Sequence, residues 1–283
     1  MSFYSYDPNS LEKHGKSFYW ASFFLPNKNK NAASELYSIC RYFDDLADKV
    51  TTDQSEKLKS EFEKICNNVE HPINKFFKSN NIPIQILGDL IQGLIQDQKL
   101  VRIQTEKDLI EYSYQVAGTV GLMMQPLILV KNKDANKHAV DLGIAMQLTN
   151  IARDVVEDEK KNRVYLIKSS NDAFKSIKNI ILKADSFYES SFVGIKDIPL
   201  NSRFSIIVAR RVYRQIGKKI LSKKDIESYR EAGKIYVSKI GKIIQTLFAL
   251  KDLIILFFVK NKKYEREIEY NLINEDIGLN ERI

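Results

Sequence analysis

Apolar residues recur three and four apart through almost all of this 283-residue chain, whereas strand-like alternation is scarce, so its apolar surface can be buried only by laying helices against one another. Ile84, Leu87, Ile91 and Leu94 illustrate the spacing. Proline has no amide hydrogen to donate within a helix, and Pro26, Pro83 and Pro199 stand at the edges of periodic segments. The pattern predicts helices over roughly 30–49, 53–67, 83–97, 105–130, 134–158, 171–194, 200–221 and 224–258. That is an all-α chain, built as a compact bundle around a central space. The six prolines and eleven glycines never gather with serine into a linker, and no internal repeat is found, so a single domain over 1–283 is expected.

A hydrophobic share of 44% beside 28% charged residues fits a soluble globular protein, not a disordered or membrane-embedded one. The first eight residues lack a basic region followed by an apolar core, so no secretory signal is read and cytoplasmic residence is the expectation. Cys40 and Cys66 are too few for a disulfide framework and lack metal-ligand spacing; they read as half-buried thiols. A net charge of +8 favours polyanions, anionic lipid or phosphorylated small molecules. The lysines are scattered and carry no nucleic-acid-binding motif, which argues against nucleic acid as a partner. The apolar run from Ile243 to Val259 is interrupted by Lys251 and Asp252 and is short for a membrane span; a buried terminal helix is expected, with a membrane-surface helix as the competing reading.

Two segments carry chemistry. In YSICRYFDDLAD, Tyr37, Arg41, Asp44 and Asp48 are four, three and four apart and share one helical stripe. Two carboxylates one turn apart destabilise an isolated helix, so something should compensate them. In AMQLTNIARDVVED, Gln147, Asn150, Asp154 and Asp158 form a second polar stripe, flanked by Ala145, Met146, Leu148, Ile151, Ala152 and Val155. Apolar flanks are foreign to a surface helix, so these acids are expected to face an internal cavity.

Like charges about 4 Å apart repel by ~4 kcal/mol at an effective dielectric of 20, so facing carboxylates call for divalent cations. Oxygen ligands without histidine or cysteine at ligand spacing point to Mg2+, with Mn2+ possible, and not to zinc. Magnesium is often completed by substrate phosphate, and Arg41 can neutralise phosphate oxygens through its planar fork, so a diphosphate is implied. Either pair alone reads more readily as a solvated helix end; two aligned stripes change that balance. A ferritin-type di-iron bundle would need Glu-x-x-His elements, which His14, His71 and His138 do not supply.

With both stripes in view, the chain resembles the squalene and phytoene synthase family, bacterial phytoene synthases most of all. The likeness runs through HGKSFYWASFFLP (14–26), CRYFDDLAD (40–48), YSYQVAGTVGLMM (112–124), AMQLTNIARDVVEDEKKNRVYL (145–166), IPLNSRFSI and ARRVYRQIGKKI. Ile167 stands where the family usually has proline, and Gly15 where some members have serine.

The resemblance implies an isoprenoid synthase-type helical bundle in which Asp44, Asp48, Asp154 and Asp158, with Asn150, hold a magnesium cluster. It further implies that Arg41 and Gln147 meet diphosphate, and that Ser17, Phe18, Tyr37, Tyr112, Val116, Arg153, Tyr213 and Arg230 are cavity or diphosphate-side residues, Tyr213 among the catalytic ones. The implied reaction condenses two geranylgeranyl diphosphates head to head, through a cyclopropyl diphosphate, to phytoene, without nicotinamide. Squalene or dehydrosqualene synthesis from farnesyl diphosphate is the alternative within the family. A noncatalytic assembly or scaffold relative is the alternative of another class, although such a protein need not keep all four aspartates. Greasy substrates add peripheral association with a membrane surface, at the inner face, to these expectations. Gly118 and Gly121 admit two readings, a bend near substrate or close helix packing.

Overall fold

The computed structural model describes residues 4–48, 53–98, 101–165, 172–259 and 264–282. The helices in chain order are α1 (Ser10–His14), α2 (Lys16–Ser22), α3 (Asn27–Ala47), α4 (Ser55–Asn67), α5 (Pro72–Ser79), α6 (Ile84–Gln96) and α7 (Glu106–Ser113). A π-helical turn over Tyr114–Gly118 leads into α8 (Thr119–Leu127), followed by α9 (Ala135–Lys160), α10 (Ala173–Gly194) and α11 (Leu200–Leu221). The short α12 (Ile226–Glu231), then α13 (Lys239–Phe258) and α14 (Glu267–Ile277), complete the series. Among the described residues the only strand-like feature is an isolated bridge between Arg102 and Val164, so the all-α expectation holds.

Local chemistry sets the boundaries. Pro26, Pro83 and Pro199 occupy the N-cap positions of α3, α6 and α11. Thr105 and Asp108 close a reciprocal capping box on α7. The helix expected over 105–130 is interrupted by the π turn, and the helix expected over 224–258 is two helices. Asp225 caps α12 and Ser238 caps α13, while Gly233, at φ +58°, takes the left-handed conformation that ends the first of them. Among the described residues four helices escape the periodic reading. Of these, α5 carries a local signal, since Pro72 begins it and the His71 ring accepts the Ile73 amide.

The core forms around α3 and α9. On α3, Leu36, Ile39, Phe43 and Leu46 are buried at three-and-four spacing. The 26-residue α9 is about 39 Å long and buries apolar side chains on both flanks of its polar stripe. A Cβ on Gly143 would lie 2.3 Å from the Ala117 carbonyl oxygen, and one on Gly121 2.3 Å from that of Ala139. The π turn and α8 therefore lie backbone against backbone on α9, so close packing requires the glycine at 121, which also lines the central cavity. The thiols are not alike: Cys40 is half-buried, but Cys66 is exposed, contrary to expectation, because it lies on the solvent face of α4.

The largest departure is α13. It is not a buried terminal helix: only Ala249, Asp252 and Leu256 are buried, and most of its bulky apolar residues point outward. No described helix is long and apolar enough to cross a membrane.

Candidate active site

A cavity of about 510 Å³ runs between α3 and α9. Along α3 its wall includes Ala33, Tyr37, Arg41, Asp44 and Asp48; along α9 it includes Ala135, Ala139, Leu142, Met146 and Asn150. At 1.5 Å per residue each stripe covers about 22 Å, apolar toward the N-terminal end and polar toward the C-terminal end. Asp48 is the C-cap of α3 and Asp158 lies in the last turn of α9, so the acids sit at the negative ends of two helix dipoles, which strengthens the demand for cations.

The first pair lies in the cavity wall. Burial pushes the half-buried Asp44 carboxyl up to about 7, outweighing the Arg41 charge, with Asp48, Asp45 and Asp97 adding repulsion. Arg41 pairs with Asp45 one turn on, and its Nε is buried without a protein partner. Asp48 faces Lys161 at 3.6 Å and Arg163 at 3.5 Å.

The second pair lies beside the cavity. Arg153 grips Asp154 through two bonds of 2.8 and 2.5 Å, and Lys234 approaches Asp154 at 3.2 Å. Asp158 is raised to about 7 by burial first and then by Asp154; Arg163 and Lys161 oppose the shift. Asp158 lines a small depression that shares Arg163 with the main cavity. The Tyr229 hydroxyl donates to the Ala152 and Arg153 carbonyls at 2.9 and 3.0 Å, tying α12 to this end of α9.

Two residues that sequence reasoning does not single out stand between the pairs. Asp97, just past α6, lines the cavity and accepts hydroxyl bonds from Tyr165 at 2.6 Å and Tyr112 at 2.9 Å, whose rings stack at 4.9 Å. Burial raises its carboxyl above the ordinary range despite those bonds and the nearby Arg163. Asp97 acts electrostatically on both Asp44 and Asp158, so it links the two acid stripes. A lone acid after an apolar helix shows no period. Arg163 does fall inside the matched segment 145–166 and was legible there.

Of the other expected residues, Phe18, Tyr37, Tyr112, Val116, Gln147, Asn150 and Tyr213 line the cavity, and the Phe18 and Tyr213 rings meet at 4.9 Å. Ser17, Arg153 and Arg230 do not line it. Arg230 is exposed on α12, and Lys234 is the basic side chain from that region that reaches Asp154. Gly15 fits its place closely, since a Cβ there would lie 3.0 Å from the Tyr37 ring. Ile167 lies outside the described residues.

Among the described residues no three acidic, histidine or cysteine side chains gather at one metal-binding point. The donor set nevertheless fits hard cations completed by an anionic ligand. The Asn150 amide donates to Gln147 at 3.3 Å, leaving its Oδ1 buried without a partner, while Arg41 Nε lacks an acceptor. An orphaned oxygen on the stripe that also carries Asp154 and Asp158 suits a cation, and an orphaned guanidinium N–H suits an anion.

Comparison with known proteins agrees. The family profile for squalene/phytoene synthase matches residues 11–175. A 15-cis-phytoene synthase of Enterobacter agglomerans is 30% identical over 246 residues, covering 75% of this chain and 83% of that protein. A 4,4'-diapophytoene synthase of Staphylococcus haemolyticus is 29% identical, covering 83% of this chain and 92% of its own length. The crystal structure of a ligand-bound dehydrosqualene synthase superposes with a TM-score of 0.74 at 27% identity, over 87% of this chain and 94% of that one.

Proposed function

The chain belongs to the squalene/phytoene synthase family, whose members are divalent-metal-dependent prenyltransferases, and we propose that it joins two geranylgeranyl diphosphates head to head, through a cyclopropyl diphosphate, to phytoene. The whole chain acts as one domain around the cavity, and the protein works as a peripheral protein at a membrane surface.

One observation carries the choice of substrate: the polar residues stand at one end of the cavity, and its wall runs about 16 Å beyond Asp44 along α3 and about 22 Å beyond Asn150 along α9. An extended chain advances ~3.6 Å over three bonds, so the sixteen-carbon main chain of a geranylgeranyl group spans about 18 Å and the twelve-carbon chain of a farnesyl group about 13 Å. The wall along α9 has room for the longer one. Likeness to a diapophytoene synthase and a dehydrosqualene synthase favours the second reading, condensation of two farnesyl diphosphates.

Asp44, Asp48, Asn150, Asp154 and Asp158 would hold Mg2+, or Mn2+, which when bound supplies positive charge to the departing diphosphate. Arg41 offers its free Nε to a diphosphate oxygen, and Gln147 orients the Asn150 amide through their hydrogen bond. Arg153 holds Asp154 in place, and Ser17 and Arg230 belong to the outer diphosphate side. Asp97 fixes Tyr112 and Tyr165, so the cavity mouth keeps its shape while charge develops. Phe18, Tyr37 and Tyr213 present ring faces to the allylic cation, and the apolar wall beyond them, Val116 included, keeps water from it.

The test is to incubate purified protein with Mg2+ and each prenyl diphosphate separately, then identify the hydrocarbon by mass. A C40 product from geranylgeranyl diphosphate supports the proposal. A C30 product alone would move the chain to the farnesyl reading, and no hydrocarbon from either would defeat the enzymatic assignment.

A further inference from the structure

The helix α13 is amphipathic in the reverse sense. Its inward stripe carries polar anchors: Gln245 donates to Gln215 at 3.2 Å, and Asp252 is buried between Arg211 at 2.6 Å and Arg210 at 3.8 Å. To one side Thr246 accepts the Trp20 indole N–H at 3.0 Å, fastening α13 to α2. The opposite stripe, at three-and-four spacing, is Ile240, Ile244, Leu247, Lys251, Ile254 and Phe258, whose apolar members are 44–81% exposed. Phe23 on the loop after α2 extends the apolar surface, 53% exposed and with the Lys30 ammonium 4.7 Å from its ring. A monomeric soluble protein rarely leaves so continuous an apolar surface to water.

We propose that this outward face of α13, together with Phe23 after α2, is the surface by which the protein lies on an anionic lipid bilayer. The charge pattern selects this occupant. The only carboxylate of α13, Asp252, is turned inward, whereas Lys239 and Lys251 are exposed among the apolar side chains and the chain carries a net charge of +8. Lysines flanking an apolar stripe lay their methylene stems along it and reach headgroup phosphates, the arrangement of a helix that rests in the interface plane. A second copy of the chain fits worse, because a twofold contact along this stripe would bring Lys251 toward its own symmetry mate with no acid to separate them. The helix is too charged to cross the bilayer, in keeping with a surface role. Since α13 packs on α11, whose Ser205, Ile206 and Ala209 line the cavity, a bilayer on α13 would lie about 10 Å, one helix spacing, from the cavity wall. This deepens the peripheral-membrane part of the reading above and is tested apart from its chemistry, since binding is measured with no substrate present.

The full-length protein is sedimented with sucrose-loaded vesicles of phosphatidylcholine alone and of equal parts phosphatidylcholine and phosphatidylglycerol, and its size in solution is measured without lipid. Binding to the anionic vesicles is expected to exceed that to the neutral ones at least tenfold, for a few lysines near an anionic surface. The triple variant Leu247→Ser/Ile254→Ser/Phe258→Ser is expected to lose it by about a hundredfold with an unchanged melting temperature. Should that variant not fold, Lys239→Glu/Lys251→Glu leaves the packing intact and is expected to abolish the preference for anionic vesicles. Wild-type protein that stays in the supernatant, a variant that binds as well as wild type, or a soluble dimer that these substitutions dissociate would each overturn the proposal.

Discussion

Filling the cavity partway along α9 should separate long substrates from short ones. Ala139 lies eleven residues before Asn150, hence about 16 Å along the helix from the polar end, between the ~13 Å of a farnesyl chain and the ~18 Å of a geranylgeranyl chain. Side chains on a helix lean toward its N-terminus, so a phenylalanine here occupies the apolar end and leaves the acids alone. Ala139→Phe should exclude the last isoprene unit. Five carbons at ~0.8 kcal/mol each give about 4 kcal/mol as an upper bound, since a chain can bend. With tenfold for each 1.4 kcal/mol, kcat/KM for geranylgeranyl diphosphate should fall by about a hundredfold to a thousandfold, while farnesyl diphosphate is turned over no worse than before. The assay is steady-state diphosphate release with each substrate, with melting curves to show that the variant folds. An equal loss on both substrates, or none on either, would refute the idea that this wall is the bed of the prenyl chain.

Three further outcomes are expected. Asp44→Asn and Asp158→Asn, or removal of divalent metal by chelation, should each cut turnover at least a thousandfold, measured as diphosphate release, with helical circular dichroism unchanged; retained turnover would remove those acids from the chemistry. Gly143→Ala should destabilise the protein by about 3 kcal/mol in denaturant titration, because the Ala117 carbonyl and the Gly118 Cα that its Cβ would strike are backbone and cannot rotate away. Asp141, buried and bonded by Ser190 at 2.5 Å and Tyr264 at 2.8 Å, has its carboxyl pushed up to about 7 by burial, so the native state holds that proton more tightly than the unfolded chain. Stability should fall as pH rises from about 4 to about 7, with Asp141 contributing up to about 4 kcal/mol beside the similarly raised Asp44 and Asp158, and Asp141→Asn should make that slope shallower in melts taken across the window.

The sequence carries the fold class through apolar periodicity and the helix starts through proline, because both are local. It carries the two acid stripes for the same reason: Asp44 with Asp48, and Asn150 with Asp154 and Asp158, each lie on one helix. What joins the stripes is not local. Asp97 matters because α6 ends beside α7 and the Tyr165 loop, and its two tyrosine donors are 15 and 68 residues away. No window on the chain contains that arrangement. The split between α12 and α13 was closer to reach: Gly233 and the capping residues Asp225 and Ser238 interrupt the pattern in plain view, yet the periodicity on either side bridges them.

Periodicity fails differently at α13. It reports that one face of a helix is apolar, but not whether that face turns toward protein or away from it, and the usual inference of burial assumes that water is the only alternative. Here the sign is set by the polar side. Asp252 is an acid within an apolar run, which on an ordinary surface helix would face solvent. Arg210 and Arg211 on α11 instead draw it inward, and Arg210 is itself buried and held by the Tyr188 carbonyl at 2.9 Å. Once that ion cluster fixes the rotation of the helix, the residues 200° away along the spiral have nowhere to go but outward. A buried charged pair contributes little net stability compared with apolar packing, so its effect here is to fix orientation rather than to add strength. The corresponding expectation for Asp252→Leu, which leaves the buried Arg210 guanidinium without that acid, is a lower melting temperature and an α13 no longer held to one rotation, seen as faster amide exchange along 243–258 and weaker vesicle binding.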